Sequence, residues 1–408
     1  MSHPIRNSNF RVLLISRLAA TLGIYFLEVA LMWWVLETTG RSSSVAWAAL
    51  SGVLVYLVAA PFSGALADRT WKKGLAAVGY LISGLVPLVA LYLLRAGWLS
   101  FFAVLALVAF DNLATALRAP ALRSLTPLVL SPDQYAQGNA LMAGTQKIAA
   151  LASMPLGGLL IGKFGVAPTL LVTAALYTLS ALVVVFVNEP RVAAREAVNQ
   201  SGSAGSVVEG FRALLSSPVL TALVITAALI NLVLSPLAVL MAPFAKLLGA
   251  GPEGYGLLGG AVVAGELLGF ISLSIVRGGR PLAWLLVGNF GIAASLALLA
   301  FAGHLVGAMV ALAVGGVAAA LMNVQLETIA QKSVPEDLLG RAFGLLSALS
   351  MGAQPLGYAF SGILLSKISV TQTFLAMALL LLGGAFLWLR PAILRSLAGL
   401  DASSRVSQ

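Results

Sequence analysis

The sequence predicts an all-α membrane protein of twelve transmembrane helices, arranged as two six-helix bundles related by a parallel pseudo-repeat. Three observations carry this. Of 408 residues, 60% are hydrophobic and only 9% charged, with a mean hydropathy of +1.00, whereas a soluble domain carries about 25% charged residues. Apolar runs of the roughly 20 residues that a bilayer-spanning helix needs recur from end to end. The second half of the chain also echoes the first at a nearly constant offset.

In the first half the runs cover 12–37, 45–67, 75–94, 99–121, 134–162 and 166–187. In the second they cover 218–247, 254–276, 282–302, 305–331, 337–366 and 370–394. The first run follows a polar stretch and is too long for the apolar core of a signal peptide, so no cleavable leader is expected. Short turns punctuate the rest, such as Arg95-Ala96-Gly97 after the third run and Gly249-Ala250-Gly251-Pro252 after the seventh. Residues 188–216 differ: from Asn188-Glu189-Pro190 through Asn199-Gln200-Ser201-Gly202-Ser203 they are polar and lie at the midpoint of the chain. They read as a linker, between an N-terminal bundle at 1–187 and a C-terminal bundle at 217–408.

The echo is local as well as global. Ser131-Pro132-Asp133-Gln134 corresponds to Val334-Pro335-Glu336-Asp337, an offset of 203 residues, and Leu159-Leu160-Ile161-Gly162-Lys163 to Ile363-Leu364-Leu365-Ser366-Lys367, an offset of 204. Equal spacing in the same in/out sense is a parallel repeat, which puts a transport site between the halves near the bilayer midplane.

Charge placement sets the orientation. With an even number of spans both termini share a side, and that side carries most of the cations, among them Arg6, Arg11, Arg69, Lys72, Lys73, Arg118, Arg123, Arg191, Arg195 and Arg212. The opposite side has only Arg41, Arg95, Lys163, Lys246 and Lys367. Termini and linker are therefore predicted to be cytoplasmic, in a bacterial inner membrane. The net charge of +10 is thus topological, and nucleic acid is not an expected partner. With no Cys and only His3 and His304, neither a metal site nor a histidine-based catalytic centre is expected, and no phosphate-binding loop appears. The reading is a non-enzyme with no cofactor.

Gly64-Ala65-Leu66-Ala67-Asp68-Arg69-Thr70-Trp71-Lys72-Lys73 resembles the loop signature between helices 2 and 3 of the major facilitator superfamily. Two further stretches resemble that family's macrolide-efflux and enterobactin-exporter-like branch. One runs from Arg118-Ala119-Pro120-Ala121 through Asn139-Ala140-Leu141 to Gly157-Gly158. The other is Gln331-Lys332-Ser333-Val334-Pro335-Glu336 with Gly340-Arg341. The resemblance implies the major facilitator fold, a monomer, and a conformational latch in which Gly64, Asp68, Arg69, Lys72 and Lys73 meet the start of helix 11 near Arg341. Setting topology is the alternative role for those charges. The sequence departs from the family in helix 5, where Met154-Pro155-Leu156-Gly157-Gly158 displaces the antiporter proline by one. It departs again at Ile24, where relatives carry an acid, and near Gly269, where the second loop copy has lost its Asp.

Charges inside a bilayer cost several kcal/mol and mark candidate sites. Arg17, Thr21 and Glu28 fall on one stripe of helix 1, and Asp111, Thr115 and Arg118 on one stripe of helix 4. The resemblance implies that helices 1, 4, 7 and 10 line the central cavity, so Asn231, Ser235, Asn323 and Glu327 join Arg17, Thr21, Thr115 and Arg118 as cavity candidates. Glu28 and Asp111 are the candidate proton carriers. A fixed ion pair, for instance of Asp111 with Lys147, is the other reading, and Arg17 and Arg118 have snorkelling to the interface as theirs. Together these features predict a proton-coupled secondary exporter of amphipathic small molecules working by alternating access. A dedicated exporter of an endogenous siderophore or lipid, or an uptake symporter, are the alternatives.

Overall fold

The computed structural model describes residues 4–189, 218–275, 281–333, 339–391 and 393–395, the side chains of 68, 69, 274, 275, 332 and 339–347 excepted. Among the described residues all regular structure is helical. The long helices are α1 (Ser8–Thr39), α2 (Ser42–Arg69), α3 (Lys72–Arg95), α4 (Phe101–Val129), α5 (Tyr135–Phe164) and α6 (Val166–Val185), then α7 (Pro218–Leu247), α8 (Gly251–Ile275), α9 (Pro281–Phe301), α10 (Leu305–Ser333), α11 (Leu339–Leu364) and α12 (Val370–Trp388). Eleven of them, all but α11, are long and apolar enough over their described residues to cross a membrane, and α11 has 26 residues. In hydrocarbon every backbone N–H and C=O must be bonded internally, and a helix does this within one segment.

Local chemistry fixes the helix ends. The Asn7 side chain accepts from the N–H groups of Asn9 and Phe10, and Gly40, at φ 64°, closes α1 by donating to Leu36 O at 3.0 Å. Ser100 caps α4, and a Ser369–Gln372 capping box starts α12. The largest departure from the expected runs is α4, which continues through Pro120 and Pro127 to Val129 instead of ending at 121. The cations and prolines in this stretch read as a terminus. Yet Arg118 is only 3% exposed, because neighbouring helices cover it. At the other extreme, α12 ends at Trp388, six residues before 394.

The chain divides into two compact units, Met1–Gln200 with Met241–Gly260, and Ser201–Leu240 with Ala261–Gln408. In the first, α3 packs on α4 and α6, α1 on α5 and α6, and α2 on α4. Its core is built on Phe10, Leu13, Leu31, Tyr80, Leu125, Leu170 and Tyr177. The Ser16 hydroxyl donates to Ser180 O at 2.9 Å, tying α1 to α6. In the second, α9 packs on α10 and α12. There the Ser295 hydroxyl reaches Ala311 O at 2.6 Å, and Trp388 Nε1 donates to Thr226 Oγ1 at 2.8 Å.

Small residues bring the backbones together. A methyl on Gly79 would stand 2.8 Å from Arg118 Cβ, and one on Gly288 would stand 2.7 Å from Met322 Cβ. In the first unit, Gly158 and Gly162 of α5 face the start of α8. A methyl at Gly158 would stand 3.2 Å from Glu253 Cα, and one at Gly162 would collide with the Glu253 carboxylate. Large apolar side chains such as Phe62, Phe102, Phe186 and Phe301 are left outside, each at least 74% exposed. A surface of this kind needs lipid, not water, as its solvent.

Candidate functional site

The two polar stripes of the first unit have different surroundings. On α1, the Arg17 guanidinium is bonded to the Gln146 side chain of α5: with the amide oxygen turned toward it, Nε lies 2.7 Å away and Nη2 also contacts it. The Thr21 hydroxyl donates back to Arg17 O at 2.8 Å. Glu28, half-buried, has no hydrogen-bond or ion-pair partner among the described residues.

On α4, Arg118 belongs to a closed cluster inside the bundle. Its Nη1 donates to the Ser83 hydroxyl of α3. Its guanidinium lies 5.4 Å from the Tyr80 ring centroid and 5.6 Å from that of Tyr177 on α6. Cations over aromatic faces at such distances are attracted by the ring quadrupole. Asp111 interacts with Arg118 and Ser83, and its Oδ1 is buried without a hydrogen-bond partner among the described residues. The Thr115 hydroxyl is turned back onto Asp111 O at 2.9 Å. Arg118 and Asp111 thus come together with partners on α3 and α6, and Arg17 lies close enough to interact with Tyr80 and Arg118, whereas Glu28 shows no such interaction among the described residues.

In the second unit, a cavity of about 450 Å3 is lined by Ile230 and Asn231 of α7, Phe270 of α8, Asn323 and Glu327 of α10, and Ser350 of α11. Asn231 is held in place: its Nδ2 donates to Ala227 O at 2.9 Å and its Oδ1 accepts from Gln354 Nε2 at 2.9 Å. Asn323 and Glu327, four residues apart on α10, share a face, and both are exposed. Ser235 stands one turn away at the α7–α11 contact, bonded to Asn231 O at 2.5 Å, with Gly357 packed against it.

At the loop between α2 and α3, Gly64 has nothing within 4 Å of an added methyl. The side chains of Asp68, Arg69 and Arg341 lie outside the described residues, as does most of the expected linker. Lys72 and Lys73 are described, and they meet Glu189. The Glu189 carboxylate accepts from the backbone N–H of Lys72 at 3.2 Å and of Lys73 at 2.9 Å, capping α3 from beyond α6. In return Lys73 Nζ donates to Val185 O at 3.2 Å and Val187 O at 3.0 Å, capping α6, while lying 4.7 Å from the Trp71 ring centroid. Opposite charges at the two helix ends suit the two dipoles.

The sequence alone does not single out Gln146, Ser83, Tyr80, Tyr177, Gln354 or Phe270, and it places Glu189 only at the start of the linker. Tyrosines and a serine in otherwise apolar runs were the available signal for the cluster. For Glu189 it was a carboxylate at the end of α6.

Long apolar helices, a half-buried acid with no partner among the described residues and a mainly apolar cavity edged by a few polar groups fit a multi-pass membrane transporter. The chain belongs to the Major Facilitator Superfamily, whose family model matches residues 13–346. It is 23% identical over 359 residues to macrolide efflux protein A of Streptococcus pyogenes, covering 86% of this chain and 87% of that one. It is 26% identical over 313 residues to the enterobactin exporter EntS of Salmonella typhi, covering 73% and 72%. Its fold is like that of the nucleoside transporter NupG, with a TM-score of 0.77 at 15% identity over 94% of this chain and 98% of the other.

Proposed function

We propose that the protein is a secondary active exporter of amphipathic small molecules, driven by proton antiport. Its two six-helix halves, 1–187 and 217–408, rock about a central site in a bacterial inner membrane, with both termini in the cytoplasm and the chain acting as a monomer. Efflux-type relatives support the direction of transport. One observation carries the coupling: Glu28 and Asp111 are carboxylates on membrane helices, the first without a partner and the second with an unpartnered oxygen, among the described residues. An acid so poorly compensated in a low-dielectric setting is suited to taking up and releasing a proton as its surroundings change. Asp68 acts as the latch, resting its charge on the start of α11.

The test is dye and antibiotic efflux from efflux-deficient cells, with and without a protonophore, for the wild type, Glu28→Gln and Asp111→Asn. Efflux of several unrelated amphipathic compounds should collapse with the proton gradient and lose its pH dependence in at least one variant. Unchanged coupling in both variants removes the antiport assignment. For the latch, transport and two-sided accessibility unchanged in Asp68→Asn would remove it. Similarity to the enterobactin exporter favours a second reading, export of one endogenous metabolite. Folded protein that expels none of the drugs selects that reading.

A further inference from the structure

We infer that the second-unit cavity is a recognition site for an organic cation, in which Glu327 receives the positive charge and Phe270 and Ile230 receive the apolar body. The inference rests on the exporter reading and names its substrate class: amphipathic molecules with an amine, quaternary ammonium or phosphonium centre.

At about 450 Å3 the cavity has the size of a site for a drug-sized molecule. Its lining is mainly apolar with a few polar groups, and no Lys, Arg or His is among the lining residues. Glu327 sits inside the candidate span Leu305–Gln331. Among the described residues it has no hydrogen-bond or ion-pair partner. A carboxylate within a membrane span and open to a cavity attracts a cation, and the described residues lining that cavity supply none. A ligand cation supplies the missing partner, and the face of Phe270 adds to the attraction.

The polar neighbours suit the same occupant. The Asn231 side-chain oxygen is fixed by Gln354, so it is presented without reorganisation, and Asn323 stands one turn from Glu327. An anionic ligand fits poorly. Glu327 would repel its charge, and no Lys, Arg or His is among the described residues that line the cavity.

The experiment is equilibrium binding of radiolabelled tetraphenylphosphonium to the full chain in lipid nanodiscs, because this probe is a permanent cation and cannot evade the test by losing a proton. The wild type should bind it. Glu327→Gln should weaken binding about tenfold or more, as expected for loss of a charged partner. Glu327→Asp, which keeps the charge, should stay within about threefold of the wild type. Asn323→Lys, which sets an ammonium one turn from Glu327, should abolish binding, and it decides the matter if Glu327→Gln fails to elute as folded protein. No binding to the wild type, or equal binding to wild type, Glu327→Gln and Asn323→Lys, overturns the site.

Efflux of the neutral compound chloramphenicol from cells separates the two readings. Efflux without tetraphenylphosphonium binding overturns the cation site and leaves the exporter standing. Glu327-dependent binding with no efflux of any drug keeps the site and overturns the drug-exporter reading.

Discussion

Replacing Arg118 by methionine tests whether the buried cluster of the first unit is one interacting set. Arg118 is 3% exposed, bonded to Ser83 and stacked between the rings of Tyr80 and Tyr177, with Asp111 as its charge partner. Methionine is the natural replacement, since Met322 occupies the same place under Gly288 in the second unit. Removing Arg118 leaves the half-buried Asp111 carboxylate without its nearby cation and should cost about 3 kcal/mol, the lower end of the range for a buried ion pair. The double variant Asp111→Asn/Arg118→Met leaves no charge behind, so it should return to within about 1 kcal/mol of the wild type. The coupling energy between the two positions should then be at least about 2 kcal/mol. The assay is reversible unfolding in mixed detergent micelles followed by tryptophan fluorescence. An Arg118→Met variant within about 1 kcal/mol of the wild type, or a double variant no more stable than the single one, would refute the idea of coupled charges.

Two other expectations follow from packing and polar satisfaction. Gly158→Ala pushes a methyl into the backbone of Pro252, Glu253 and Gly256 and should lower stability by about 1–3 kcal/mol, whereas Gly383→Ala, with nothing within 4 Å, should not destabilise. Paired thermal melts in one detergent check the contrast, and equal melting points remove it. Asn289 is 1% exposed with both amide atoms unpartnered among the described residues, so Asn289→Leu should raise stability by about 1–3 kcal/mol. A lower melting temperature for that variant would show that the amide has a partner.

The membrane helices were legible because a spanning segment must be apolar along its whole length. For α7 the expected run 218–247 coincides with Pro218–Leu247, and for α10 the run 305–331 falls two residues short of Ser333. The reading failed where a helix continues through polar residues that other helices cover, as α4 does beyond Pro120. Helical spacing grouped Asp111 with Arg118 on one stripe of α4. What spacing cannot provide is the partner across the interface. Ser83 and Tyr177 lie 35 and 59 positions from Arg118 in the chain, and only the packing of α3 and α6 on α4 brings them together. In the same way, Arg17 was singled out on α1 but its partner Gln146, on α5, was not.

The reciprocal caps made by Glu189 and Lys73 have an electrical consequence. One carboxylate sits on the positive end of α3, one ammonium on the negative end of α6, and the two helices run side by side. Two antiparallel dipoles closed by two opposite charges approximate a quadrupole, whose field dies away faster with distance than that of a lone ion. Lys73 therefore projects less charge toward lipid headgroups than an uncapped cation such as exposed Arg11. It still counts toward orientation, because acidic residues weigh little in that rule. This corner of the protein is built to keep its geometry when ionic strength or the anionic lipid content changes.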